Sequence, residues 1–137
     1  MQPDRIRVSD TREWLLHARE DLETAEDLLA LRRRHLESIV FHCQQAAEKA
    51  LKGFLTWHDC PFEKIRNLEE IGKLCIQIDS ALAALMAKAV TLTQYSSRFR
   101  YPGAPYELTV EEATAALELA KEVVSEVTVR LPRGVSP

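Results

Sequence analysis

Apolar residues recur every three or four positions through every long segment of this 137-residue chain, and nothing alternates with a period of two over a useful length. That spacing lines one face of a helix, not one face of a strand. Trp14, Ala18, Leu22, Ala25 and Leu29 set the first stripe, with Asp10 and Glu13 resembling a capping box ahead of it, so a helix is predicted over about 11–32. The next stripe, Ile39, Cys43, Ala46, Ala50, Phe54 and Trp57, has a second beside it, Val40, Ala47, Leu51 and Leu55. A helix over about 35–57 with so wide an apolar arc is expected to pack against more than one neighbour. Asn67 with Glu70 starts a short helix to about Ile78, and Asp79 or Ser80 caps one over about 80–97 carrying Leu82, Leu85, Ala89 and Leu92. Pro102, Gly103 and Pro105 break the pattern. Thr109 and Glu112 form a T-x-x-E box, followed by Val110, Ala113, Leu117, Ala120, Val124, Val127 and Leu131, the alternating seam of lengthwise packing.

The predicted fold is therefore all-α, an up-and-down bundle of four longer helices and one short one. Its length suits a single domain over 1–137, with a core at about 11–131 and a frayed tail at 132–137. Only four glycines interrupt the chain, and apolar residues at 46% supply an ordinary core without staples. A formal charge of −3 gives no global basic field for nucleic acid. Cys43, Cys60 and Cys75 are odd in number and lack CxxC spacing, which argues for reduced thiols in a cytoplasmic protein. The opening MQPDRIRVSDTREW has no apolar run of the signal-peptide kind, and no segment approaches a membrane span.

The second helix carries a dense polar block inside FHCQQAAEKALKGFL. Residues three and four apart meet on a helix, so Gln44 neighbours Glu48, Gln45 neighbours Lys49, and Glu48 neighbours Lys52. With His42 at its border, this is either a solvated strip with one Glu–Lys pair or a surface that contacts a partner. Arg98, Arg100 and Tyr101 are a second candidate. An arginine fork binds carboxylate or phosphate through paired hydrogen bonds, and tyrosines can stack a base. The competing reading ties Arg100 to helix carbonyls around the Pro-Gly loop. His17, His35, His42 and His58 show no HxxxH or HxH spacing, so neither a metal site nor a cofactor is expected. His58-Asp59-Cys60 reads as a turn, and Arg32-Arg33-Arg34 as cations suited to a helix C-terminus.

FHCQQAAEKALKGFL, then RNLEEIGKLC, then YSSRFRYPG before a final helix, resembles the HEPN domain family over about residues 11–130. The resemblance implies a small helical bundle, often dimeric, in many cases paired with a minimal nucleotidyltransferase as its toxin or binding partner. Some relatives are ribonucleases that use an Arg, a polar residue and a His four to six residues after the Arg. The Arg matching that pattern is Arg100, followed by Tyr101; no histidine occurs after His58. A proton carrier near neutral pH is what that chemistry requires. The expectation is accordingly a homodimeric, cytoplasmic binding module in a toxin–antitoxin-like pair, holding a nucleotide, RNA or phosphate at Arg98, Arg100 and Tyr101. The alternatives are a divergent metal-independent ribonuclease and a homodimeric scaffold without a small ligand.

Overall fold

The computed structural model describes residues 4–32, 34–63, 65, 67–98 and 107–137, with residues 94–98 described by backbone alone. It is an all-α bundle: α1 (Arg5–Ala30), α2 (Leu36–Trp57), α3 (Leu68–Ile78), α4 (Ala83–Arg98) and α5 (Val110–Val129). A single 3-10 turn, Ser80–Leu82, leads into α4. There is no strand among the described residues.

The wide apolar arc places α2 at the centre. It packs on α1, α3, α4 and α5, so each part of the arc has its own cover. Ile39, Cys43, Ala46, Ala47, Ala50, Leu51 and Leu55 are fully buried. Burying side chains such as Leu51, Leu55 and Phe54 contributes about 1.5–3 kcal/mol each, the main driving term of the bundle. α1 runs antiparallel to α2: Arg7 lies against Trp57 at one end, and Asp21 against Lys49 further along. Between them is Gly53, where a Cβ would lie 2.4 Å from Leu15 Cδ2 and 3.2 Å from Trp14 Cβ. The glycine is what lets α1 and α2 approach so closely.

Two caps match the sequence reading. The Asn67 side chain accepts from Glu70 N at 2.8 Å, and Thr109 and Glu112 form a reciprocal capping box. At the end of α1, the Arg34 Nε donates to the Leu29 carbonyl at 2.8 Å, the helix-end role expected of that basic run.

Three expectations are corrected. First, α1 begins at Arg5 rather than near residue 11, because Asp4 caps it by accepting from Ile6 N at 2.9 Å. Asp10 lies inside the helix, and the extra turns carry half-buried Arg7 and Val8. Second, Val110 is 36% exposed and does not belong to the α5 seam; Ala116 and Val123, outside the predicted stripe, are buried there with the five residues that the stripe named. Third, the segment after α5 does not fray. Leu131 and Val135 are buried in the core, Arg12 donates to the Gly134 carbonyl at 2.8 Å, and Arg19 donates to the Pro137 carbonyl and to Ser136 Oγ. Gly134 makes the turn at φ 89°, a left-handed conformation that glycine adopts without strain.

Candidate functional site

The polar block of α2 is neither a plain solvated face nor wholly open. Gln44, Gln45, Glu48, Lys49, Lys52 and His42 are all half-buried. The reason is a carboxylate from the facing helix. Asp21 of α1 is buried, and its two oxygens are divided between two residues of α2. Oδ1 lies 2.8 Å from His42 Nδ1, and Oδ2 accepts from Lys49 Nζ at 2.6 Å. His42 and Lys49 are seven residues apart, two helical turns, so both reach toward the same strip of α1. A buried carboxylate is tolerated only when paired and hydrogen-bonded, and here both oxygens are engaged.

Toward the end of α2 the strip is covered differently. Lys52 pairs with Glu48 at 3.3 Å, and its ammonium lies 5.4 Å from the Trp14 ring and 5.8 Å from the Phe62 ring. Those two rings meet edge-on at 5.9 Å, a geometry that favours the positive ring edge against the negative face. The connector after α2 thereby folds back over the strip. Toward the start of α2 the strip is open, and Phe41 is 48% exposed on it. Among the described residues Gln45 reaches only Glu48, at 3.5 Å, a weak contact.

Beside the Trp14–Phe62 pair, a groove of about 590 Å³ opens between the first half of α1 and the connector. Five carboxylates line it, those of Asp4, Asp10, Glu13, Asp59 and Glu63, against one arginine, Arg7, and His17. So many carboxylates repel a phosphate, which leaves the groove a poor seat for a nucleotide. His58, Asp59 and Cys60 form the turn expected of them: Asp59 has φ 54°, and Cys60 N donates to the Leu55 carbonyl at 2.9 Å. His58 sits edge-on to Phe54 at 4.6 Å. Its pKa is lowered, first by burial and then by the Arg7 charge, with Asp79 opposing. Cys43 and Cys75 are core residues whose burial pushes their thiols up to about 12, which keeps them protonated and unreactive. Among the described residues, no group of three or more His, Cys, Asp or Glu side chains is placed to hold a metal. No described helix is long and apolar enough to cross a membrane.

The HEPN domain family model matches residues 11–130. This chain belongs to the HEPN domain family. The match spans the five described helices save the first turns of α1, so the strip on α2 lies within the matched residues. No curated protein and no solved structure matches the chain.

Of the candidate residues, the structure brings His42 and Lys49 together on Asp21, and Gln45, Glu48 and Lys52 along one strip. Arg100 and Tyr101 lie outside the described residues, as does the Arg98 side chain, although the Arg98 backbone closes α4. Asp21 is the residue that sequence reasoning missed. It lies three after Ala18 and four before Ala25, which is a core position of the α1 stripe. A carboxylate at a core position is itself a signal that cations face it, but Leu22 beside it drew the stripe one residue away.

Proposed function

We propose that this HEPN domain is a binding module, one half of a pair with a minimal nucleotidyltransferase in a toxin–antitoxin-like system. Its ligand is a nucleotide, RNA or another phosphate-bearing group. The observation that carries this reading is the chemistry missing after Arg100. At the positions where ribonucleases of the family place histidine, the chain has Ala104, Pro105, Tyr106 and Glu107, and no histidine follows His58. An arginine can hold a phosphate through paired charge-assisted bonds, but with its high pKa it cannot pass protons near neutral pH. Arg98 and Arg100 therefore suit binding without the family's cleavage step. The family's pairing habit supports a nucleotidyltransferase partner and a homodimer. The wide arc of α2 no longer supports the dimer, because helices of the same chain cover it.

The test is an RNA-cleavage assay on wild type and Arg100→Ala near pH 7, beside a nucleotide titration. The expected result is intact RNA with both proteins and weaker nucleotide retention by the variant. Metal-independent cleavage by wild type that vanishes in Arg100→Ala would replace this reading with the ribonuclease. Light scattering is expected to give twice the chain mass; a monomer at micromolar concentration would remove the dimer. Co-purification with a nucleotidyltransferase encoded beside it tests the partner.

A further inference from the structure

We propose that Phe41, His42 and Gln45 form a reading site for an amino-bearing nucleobase on the open half of α2. This assignment rests on the reading that the protein holds a nucleotide or RNA, and it adds where the base sits and how it is recognised.

The argument starts from Asp21. An ionised carboxylate only accepts hydrogen bonds. Its Oδ1, 2.8 Å from His42 Nδ1, therefore requires the proton of a neutral imidazole to sit on Nδ1. Lys49 pairs with the other oxygen at 2.6 Å, so the carboxylate already has a permanent cation. With that proton on Nδ1, Nε2 of the neutral ring is an acceptor, and the His42 side chain is 29% exposed. A second residue fixes the plane. Phe41 is a large aromatic, 48% exposed within an otherwise polar strip, and its ring meets the His42 ring edge-on at 5.4 Å. Gln45 is one turn beyond both, and among the described residues its amide has the 3.5 Å contact with Glu48 alone.

Together these groups present a flat face for stacking, a fixed acceptor and an adaptable amide. A nucleobase with an exocyclic amine beside a ring nitrogen complements that set: the amine donates to His42 Nε2, the Gln45 amide donates to the ring nitrogen, and the base stacks on Phe41. Adenine and cytosine have this edge. Uracil offers a carbonyl where the amine is needed, which faces the lone pair of Nε2 and is rejected.

The experiment is a calorimetric titration of the full chain with AMP and UMP, repeated on Phe41→Ala, His42→Ala and the groove control Glu63→Gln. It is paired with a nitrogen-15 spectrum of the histidine rings at pH 7. Wild type is expected to bind AMP more tightly than UMP. Phe41→Ala should weaken AMP about tenfold, and His42→Ala about fivefold while abolishing the preference over UMP. Glu63→Gln should bind like wild type. The spectrum should show His42 protonated on Nδ1 only, and Asp21→Asn should remove that bias. AMP binding that neither Phe41→Ala nor His42→Ala alters overturns the site and leaves the nucleotide reading standing. A His42 ring protonated on Nε2 overturns the site whatever the titration gives. No binding of either nucleotide by wild type overturns both. Loss of dimer mass in Phe41→Ala with unchanged AMP affinity shows that this face joins two copies, and also overturns the site.

Discussion

Replacing Asp21 by Ala tests whether the strip of α2 is held from α1 as described. The carboxylate makes two bonds, at 2.8 Å to His42 and 2.6 Å to Lys49. The bond to charged Lys49 is worth about 1.5–3 kcal/mol. The bond to a neutral imidazole contributes nearer 1 kcal/mol, about the mean for an ordinary hydrogen bond. Two effects reduce the sum. Lys49 and His42 side chains are each 29% exposed and regain water once the partner is gone. Removing Asp21 also removes the desolvation of the carboxylate itself, so the loss falls below the roughly 3–5 kcal/mol of a fully stranded buried charge. The expected loss is about 2–3 kcal/mol, or about 6–9 °C in midpoint for a chain of this size.

Urea and thermal unfolding of Asp21→Ala, Lys49→Met and the double variant measure this directly. The coupling energy of that cycle should be about 1.5–3 kcal/mol. Removing all the charge at once, as Asp21→Leu with Lys49→Met, should come close to wild type, since an apolar pair of similar volume carries no desolvation. A stability of Asp21→Ala within about 0.5 kcal/mol of wild type, the range of a plain surface change, would refute the grip between the helices.

Further measurements address the packing and the ends of the bundle. Gly53→Ala gains about 1 kcal/mol of helix propensity, yet its Cβ meets buried Leu15 at 2.4 Å. Overpacking of about 1–3 kcal/mol should outweigh the gain and lower the urea midpoint; a raised midpoint would mean that α1 and α2 do not approach there. Ala50→Leu, at a fully buried position, should lose about 1–3 kcal/mol by calorimetry. Removing residues 132–137 exposes the Val135 site and frees Arg12 and Arg19, and should lower the melting midpoint by a few degrees; no change would return the tail to a frayed state. The lowered pKa of His58 means the unfolded chain binds the proton more readily. Its contribution is then full above about pH 6.5 and is lost as pH falls through the folded value. The pH–stability curve of His58→Gln should be flatter than wild type over that window.

The bundle was legible because its rules are local. Spacing placed the buried apolar side chains of α2 and most of those of α4 and α5, missing Met86, Ala116 and Val123, and the Asn67 and Thr109 caps could be read from single residues. The start of α1 was misread because Asp10 and Glu13 mimic a capping box while Asp4, six residues earlier, makes the bond. A box pattern names a capacity, and the chain decides which acid uses it. The docked tail was illegible for another reason. Pro132, Gly134 and Pro137 have the composition of a loop, and beyond the local bond from Val135 N to the Pro132 carbonyl it is Arg12 and Arg19 on a distant helix that hold its carbonyls.

The strip shows the same division between local and distant information. That Gln44, Gln45, Glu48, Lys49 and Lys52 share one face follows from helix geometry alone. Which of them is free does not, since that depends on what α1 and the connector bring. Trp14 and Phe62 take Lys52, and Asp21 takes Lys49 with His42. Each engages a cation within the chain, so the strip offers fewer unpaired cations than its composition suggests. What α1 leaves behind is an acceptor on His42, an amide on Gln45 and the Phe41 ring, a set that suits a flat polar molecule better than a phosphate. If the protein holds a nucleotide, its phosphate must be met elsewhere, and Arg98 and Arg100 are the residues that the sequence supplies for it.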